Sequence, residues 1–157
     1  GFDERLRGYE DDDLFVRMFA AGYRFVYLKD QSVAQWRVHG GATSRNLLLA
    51  ESRLIYFRKL IATFPNDPAA GLHWTTDVIA PRFFQQFVGD FMLGCRQRDV
   101  ERLRQSWSAL KEISKYRPRK TKRYMRLVRP LVTASLKRPN RLGFHILGRI
   151  ARSLLKH

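Results

Sequence analysis

Asp12-Asp13-Leu14-Phe15-Val16-Arg17-Met18-Phe19-Ala20-Ala21 runs into Gly22 and then into Tyr23-Arg24-Phe25-Val26-Tyr27-Leu28. The fold turns on how these two runs are read. In the first, Leu14, Met18 and Phe19 recur at helical spacing, acids crowd the start and Gly22 supplies a stop, so a helix is expected over Asp12 to Ala21. The second run changes period and is rich in β-formers, which predicts a strand. Lys29-Asp30-Gln31-Ser32 reads as a turn. Val33 to Val38 reads as a second strand, closed by His39-Gly40-Gly41. Helix, strand, turn and strand together predict the edge of an α/β sheet.

Downstream the patterning is helical. Leu54, Phe57, Ile61 and Phe64 form one apolar stripe, ended by Pro65-Asn66-Asp67-Pro68. Phe84, Phe87, Val88, Phe91, Met92 and Cys95 form a second, and Val100, Leu103, Trp107, Leu110 and Ile113 a third. Arg117 to Arg129 is basic and reads as interrupted by Pro118 and Pro130. Leu142 to Leu155 reads as an amphipathic helix, with Phe144, Ile146, Leu147, Ile150 and Leu154 interleaved with Arg149 and Arg152. The expected architecture is an α/β fragment over residues 1–46, a helical extension over 47–115 and a basic amphipathic tail over 116–157, mostly helical overall.

Glu10-Asp11-Asp12-Asp13 is a run of four consecutive carboxylates. Such a run repels itself unless a helix N-terminus, a cation or a hydroxylic ligand shares the charge. One reading is an acidic helix start, where each carboxylate contributes roughly 0.3–1 kcal/mol. The other is a cleft carboxylate acting as general base toward a hydroxyl. His39, between a strand-like run and Gly40-Gly41, is either a structural imidazole or a metal ligand.

The chain has 157 residues and is 45% apolar, enough for a core and too apolar for disorder. A single cysteine, Cys95, rules out an intrachain disulfide framework and a cysteine-rich zinc site, and fits a reducing compartment. The chain opens on Gly1 within a patterned segment, so it reads as a fragment of a longer protein, and a missing leader says nothing about the parent. No apolar run approaches the roughly 20 residues of a spanning helix. The net charge is +16, yet residues 1–46 and 47–95 are each neutral. The excess lies in residues 96–157, with nineteen basic and three acidic side chains.

Gly1-Phe2-Asp3-Glu4, Tyr9-Glu10-Asp11-Asp12-Asp13-Leu14, Arg17, Ala21-Gly22-Tyr23, Val26-Tyr27 and Arg37-Val38-His39-Gly40 occur in the order and spacing seen in the second half of family-2 inverting glycosyltransferases. The first third of the chain resembles that family, and Glu51 to Lys59 resembles the helix that follows its His. The resemblance implies a Rossmann-like GT-A fold and transfer of a sugar from a nucleotide-sugar donor to a glycan or lipid-linked acceptor, with inversion, in bacterial surface polysaccharide assembly. It implies Asp11 as the catalytic base and Glu10, Asp12 and Asp13 as acceptor-site residues. It implies His39 as a ligand for a divalent metal, Mg²⁺ or Mn²⁺, that neutralises the leaving diphosphate. The family's nucleotide-binding half and its metal-binding Asp-x-Asp precede the region matched here, so the chain alone is expected to be inactive.

The basic stretch allows three readings. It is a solvated helical face, an attachment to an anionic membrane surface, or a phosphate-contacting nucleic-acid surface with Tyr116, Tyr124 and Trp107 as stacking candidates. No base-reading motif accompanies the third. The second suits an enzyme with lipid-linked acceptors and implies a cytoplasmic, membrane-peripheral location.

Overall fold

The computed structural model describes residues 1–30, 32 and 47–155. Its elements are α1 (Glu10–Ala20), α2 (Leu47–Thr63), a π-helical turn (Trp74–Ile79), α3 (Ala80–Gln97), α4 (Val100–Ile113), a 3₁₀ turn (Ser114–Tyr116), α5 (Arg119–Lys137) and α6 (Arg141–Leu154). Among the described residues there is no strand and no sheet. One isolated antiparallel bridge, Asp67 to Leu72, closes the turn after α2.

The expected α/β fragment is therefore corrected: the regular structure of the described residues is all-helical. Tyr23 to Leu28 forms no regular element; among the described residues it has no ladder partner, and all six of its residues are exposed. β-propensity expresses how well a side chain fits a pleated surface, so it yields a strand only where a neighbour completes the ladder. Among the described residues nothing lies beside this run to do so. The second expected strand, Val33 to Val38, lies outside the described residues.

The chain forms two compact units, Gly1–Tyr56 and Phe57–His157. In the first, α1 starts two residues earlier than its apolar spacing predicts, so all four carboxylates fall in its first turn. Tyr9 caps it without a side-chain hydrogen bond, which leaves charge to offset the helix dipole there. The stop is as expected. Gly22 adopts φ 84°, its amide donates to the Phe19 carbonyl, and the Tyr23 amide donates to the Met18 carbonyl. This paired arrangement needs a left-handed residue, which glycine adopts without strain. Leu6, Tyr9, Leu49 and Tyr56 are buried, and the Tyr9 and Tyr56 rings lie 5.3 Å apart. Phe15 and Phe19 instead face solvent, where both meet the Phe25 ring at about 6 Å.

The second unit is built on α3, which packs against α4 and α6. Phe83, Phe84, Phe87, Val88 and Phe91 from α3 are fully buried. They meet Leu103, Trp107, Leu110 and Ile113 of α4, and Leu147, Ile150, Ala151 and Leu154 of α6 are buried in the same unit. Phe57, at the start of this unit, lies 5.6 Å from the Phe83 ring and 5.8 Å from Tyr116. At each buried Phe, apolar burial contributes about 1.5–3 kcal/mol. The α3–α4 turn is tight: Arg98 adopts φ 56°, and the Asp99 carboxylate accepts from the Arg102 amide at 3.0 Å to cap α4. Asn140 caps α6 in the same way, accepting from the Gly143 amide at 2.7 Å.

The predicted interruption at Pro130 does not occur, since α5 runs through it to Lys137. Pro130 sits on the exposed side, while Met125, Val128, Val132 and Leu136 are buried one turn apart on the other. That packing outweighs the hydrogen bond that proline cannot donate. Among the described residues no helix is long and apolar enough to cross a membrane.

Candidate functional site

The chain ahead of α1 folds back in two short turns. The Leu6 amide donates to the Asp3 carbonyl at 3.0 Å and the Tyr9 amide to the Leu6 carbonyl at 2.8 Å. Between these turns and the start of α1 lies a cleft of about 770 Å³. Phe2, Asp3, Glu4, Arg7, Glu10 and Asp11 are among its walls. An apolar ring, a cation and several carboxylates thus line a space large enough for a sugar-sized ligand.

The four acids of the run have different surroundings. Glu10 accepts a hydrogen bond from the Gly8 amide, which the left-handed Gly8, φ 83°, turns toward it. Asp11 is exposed; one of its oxygens accepts from the Asp12 amide at 2.8 Å, and among the described residues the other has no partner. Asp12 is half-buried and does not border the cleft. Asp13 is only 2% exposed, and its carboxylate accepts from the Arg17 Nε at 2.9 Å. Arg17 also donates to the Gly1 carbonyl at 2.7 Å, which ties the first residue of the chain to α1. Of the residues named from sequence, the structure therefore brings Glu10 and Asp11 to the cleft and turns Asp13 into the packing of α1. His39 lies outside the described residues.

Sequence reasoning missed the support behind the cleft. The Arg53 Nε donates to the Tyr9 hydroxyl at 2.8 Å, and both side chains are buried. Ser52 donates to the Arg5 carbonyl at 3.3 Å, which anchors the same turn. Arg5 in turn makes a two-pronged pair with Asp3, at 2.9 and 2.8 Å, and these hydrogen bonds raise the guanidinium pKa further above its already high value. The only available signal was the spacing of Leu49, Arg53 and Tyr56, which puts an arginine on the inward face of α2. Among the described residues, no group of three His, Cys, Asp or Glu side chains is placed to hold a metal ion.

A second concentration of charge lies in the other unit. Lys111 at the end of α4, Lys115 in the 3₁₀ turn, and Lys122, Arg126 and Arg129 on α5 border a groove of about 340 Å³ floored by Met125. The nearest carboxylate in sequence, Glu112, is engaged by Arg58 through two hydrogen bonds of 2.8 and 2.7 Å. Those bonds hold Glu112 below the usual carboxylate range.

Comparison of the chain with protein-family models, curated proteins and solved structures gives no match.

Proposed function

We propose that the cleft before α1 is the acceptor side of an inverting glycosyltransferase site, with Asp11 as its general base. The observation that carries this reading is the difference among the four acids. Asp13 is buried against Arg17 and Glu10 is bonded to the Gly8 amide, whereas Asp11 keeps an exposed oxygen at the edge of the cleft. The motif resemblance supports the same residue. In the reaction, an acceptor hydroxyl oxygen bonds to the anomeric carbon of the nucleotide-sugar. Its proton passes to the Asp11 carboxylate. The bond from the anomeric carbon to the diphosphate breaks, the nucleoside diphosphate leaves with the electron pair, and the configuration inverts.

The test is Asp11→Asn in the full-length protein. The amide keeps the size of the side chain but cannot take the proton, so turnover falls by roughly 10²–10⁴-fold while donor binding is retained. Unchanged turnover would reject the assignment. A second reading, a non-catalytic helical module for anionic surfaces, draws on the absence of any acidic residue after Glu112. It expects Asp11→Asn to have no effect.

A further inference from the structure

Membrane attachment is expected from the basic stretch together with the amphipathic last segment, but most of the apolar side of that last helix is covered by packing. Leu147, Ile150, Ala151 and Leu154 of α6 are all buried and Phe144 and Ile146 half-buried, which leaves a single leucine, Leu142, outward among Arg141, His145, Arg149 and Arg152. An amphipathic helix whose apolar face is already covered cannot insert that face into lipid.

α5 is different. Its buried side uses Met125, Val128, Val132 and Leu136. Its opposite side carries Leu127 and Leu131, 74% and 54% exposed and one helical turn apart, with Pro130 between them. Arg123 precedes this pair by one turn and is also exposed. On one flank of the same helix, Lys122, Arg126 and Arg129 join Lys111 and Lys115 around the groove. Among the described residues no ion pair engages Lys111, Lys122, Arg126 or Arg129. Five cations around one groove repel each other, and a multiply charged anion relieves that repulsion. Exposed leucines on the same helix as a cluster of cations match the two halves of one ligand class, a phospholipid with an anionic head and acyl chains.

We propose that α5 and the adjoining end of α4 are an anionic-bilayer docking surface, with the cationic groove over lipid phosphates and Leu127 and Leu131 among the acyl chains. The long Lys and Arg stems let the charges stay at headgroup level while the leucines go deeper. This surface acts independently of Asp11.

The test is cosedimentation of the chain with phosphatidylglycerol-containing and with pure phosphatidylcholine vesicles at about 0.1 M salt, where surface charges are partly screened. All substituted side chains are half-buried or exposed, and circular dichroism confirms that each variant keeps its helices. The unaltered chain pellets with the anionic vesicles only. Each cation removed weakens partition by roughly fivefold, so Lys122→Gln/Arg126→Gln/Arg129→Gln together cost about a hundredfold. Leu127→Ser/Leu131→Ser costs at least about tenfold and persists at high salt, because its contribution is apolar. The control is Arg141→Gln/Arg149→Gln/Arg152→Gln on the outward side of α6. If the control loses as much as the groove variant, diffuse net charge explains binding and the proposal fails. Equal binding to neutral vesicles also overturns it. So does failure to pellet with either vesicle combined with salt-sensitive retention of DNA, which reassigns the surface to nucleic acid.

Discussion

Two glycines on α3 test the core through one chemical change with opposite expected signs. Gly89 and Gly94 both lie inside α3, where Gly→Ala contributes about 0.8–1 kcal/mol through helix propensity alone. A methyl group at Gly89 meets nothing within 4 Å, so Gly89→Ala is expected to show the whole gain. At Gly94 the new Cβ falls 2.9 Å from the Leu103 Cγ, 3.1 Å from its Cδ2 and 3.4 Å from the Asp99 carbonyl oxygen. Leu103 is fully buried and has no open side to move toward. Overpacking of this kind costs about 1–3 kcal/mol, which cancels or exceeds the propensity gain. The difference between the two variants isolates the steric cost. For a unit of roughly a hundred residues, 1 kcal/mol moves Tm by about 4–8 °C. Paired thermal melts should therefore show Gly89→Ala above the parent and Gly94→Ala at or below it, with unchanged helical ellipticity. Equal upward shifts in both variants would refute the close approach of α3 to α4 at this point.

Two further outcomes follow from the titratable groups. Arg58 holds the Glu112 carboxyl below its usual range, so this pair stabilises the fold above the ordinary carboxylate pKa of about 4.3 and is lost as pH falls through the lowered value. Because Arg58 is more than half exposed, Glu112→Gln should cost less than about 1 kcal/mol at pH 7, and urea midpoints of the two proteins should converge in acid; a gap that widens with acid would contradict the pairing. Burial pushes the Cys95 thiol up to about 11, so almost none of it is thiolate near pH 8. Native protein should react slowly with a disulfide reagent and urea-unfolded protein quickly, whereas rapid native reaction would place the sulfur at the surface.

Much of the helical architecture was legible because it rests on local rules. The stripe expected over Val100, Leu103, Trp107, Leu110 and Ile113 is buried from Leu103 onward, with Val100 half-buried, and Gly22 ends α1 as expected. In α3 the stripe was right along Phe84, Phe87, Val88 and Phe91, but Phe83 and Gly94 are buried while Met92 and Cys95 are only half covered. Gly94 is inside because Leu103 needs the space, a fact about a different helix. Tyr23 to Leu28 misled for the opposite reason: strand propensity states what a segment does beside a partner, and among the described residues it has none. Pro130 misled because a local breaker was overruled by four buried side chains on the far face of α5. At the cleft, the acid run lies on the turn of chain that borders it, but sequence could not rank its members. That ranking depends on Arg17 reaching Asp13 and on the Gly8 amide reaching Glu10. The Arg53 to Tyr9 bond was hidden because an arginine in a helix ordinarily reads as solvent-facing.

The close fit of Leu103 against Gly94 also bears on the order in which the second unit assembles. Its two residues are nine positions apart, so the α3–α4 hairpin closes a short loop at small entropic cost. The packing of α6 against α3 joins segments separated by two intervening helices and must close a far longer loop. Loop-closure entropy thus favours formation of the hairpin ahead of the docking of α6. Until it docks, the phenylalanine row of α3 stands open on one side, which makes that half-built state the one most prone to clump.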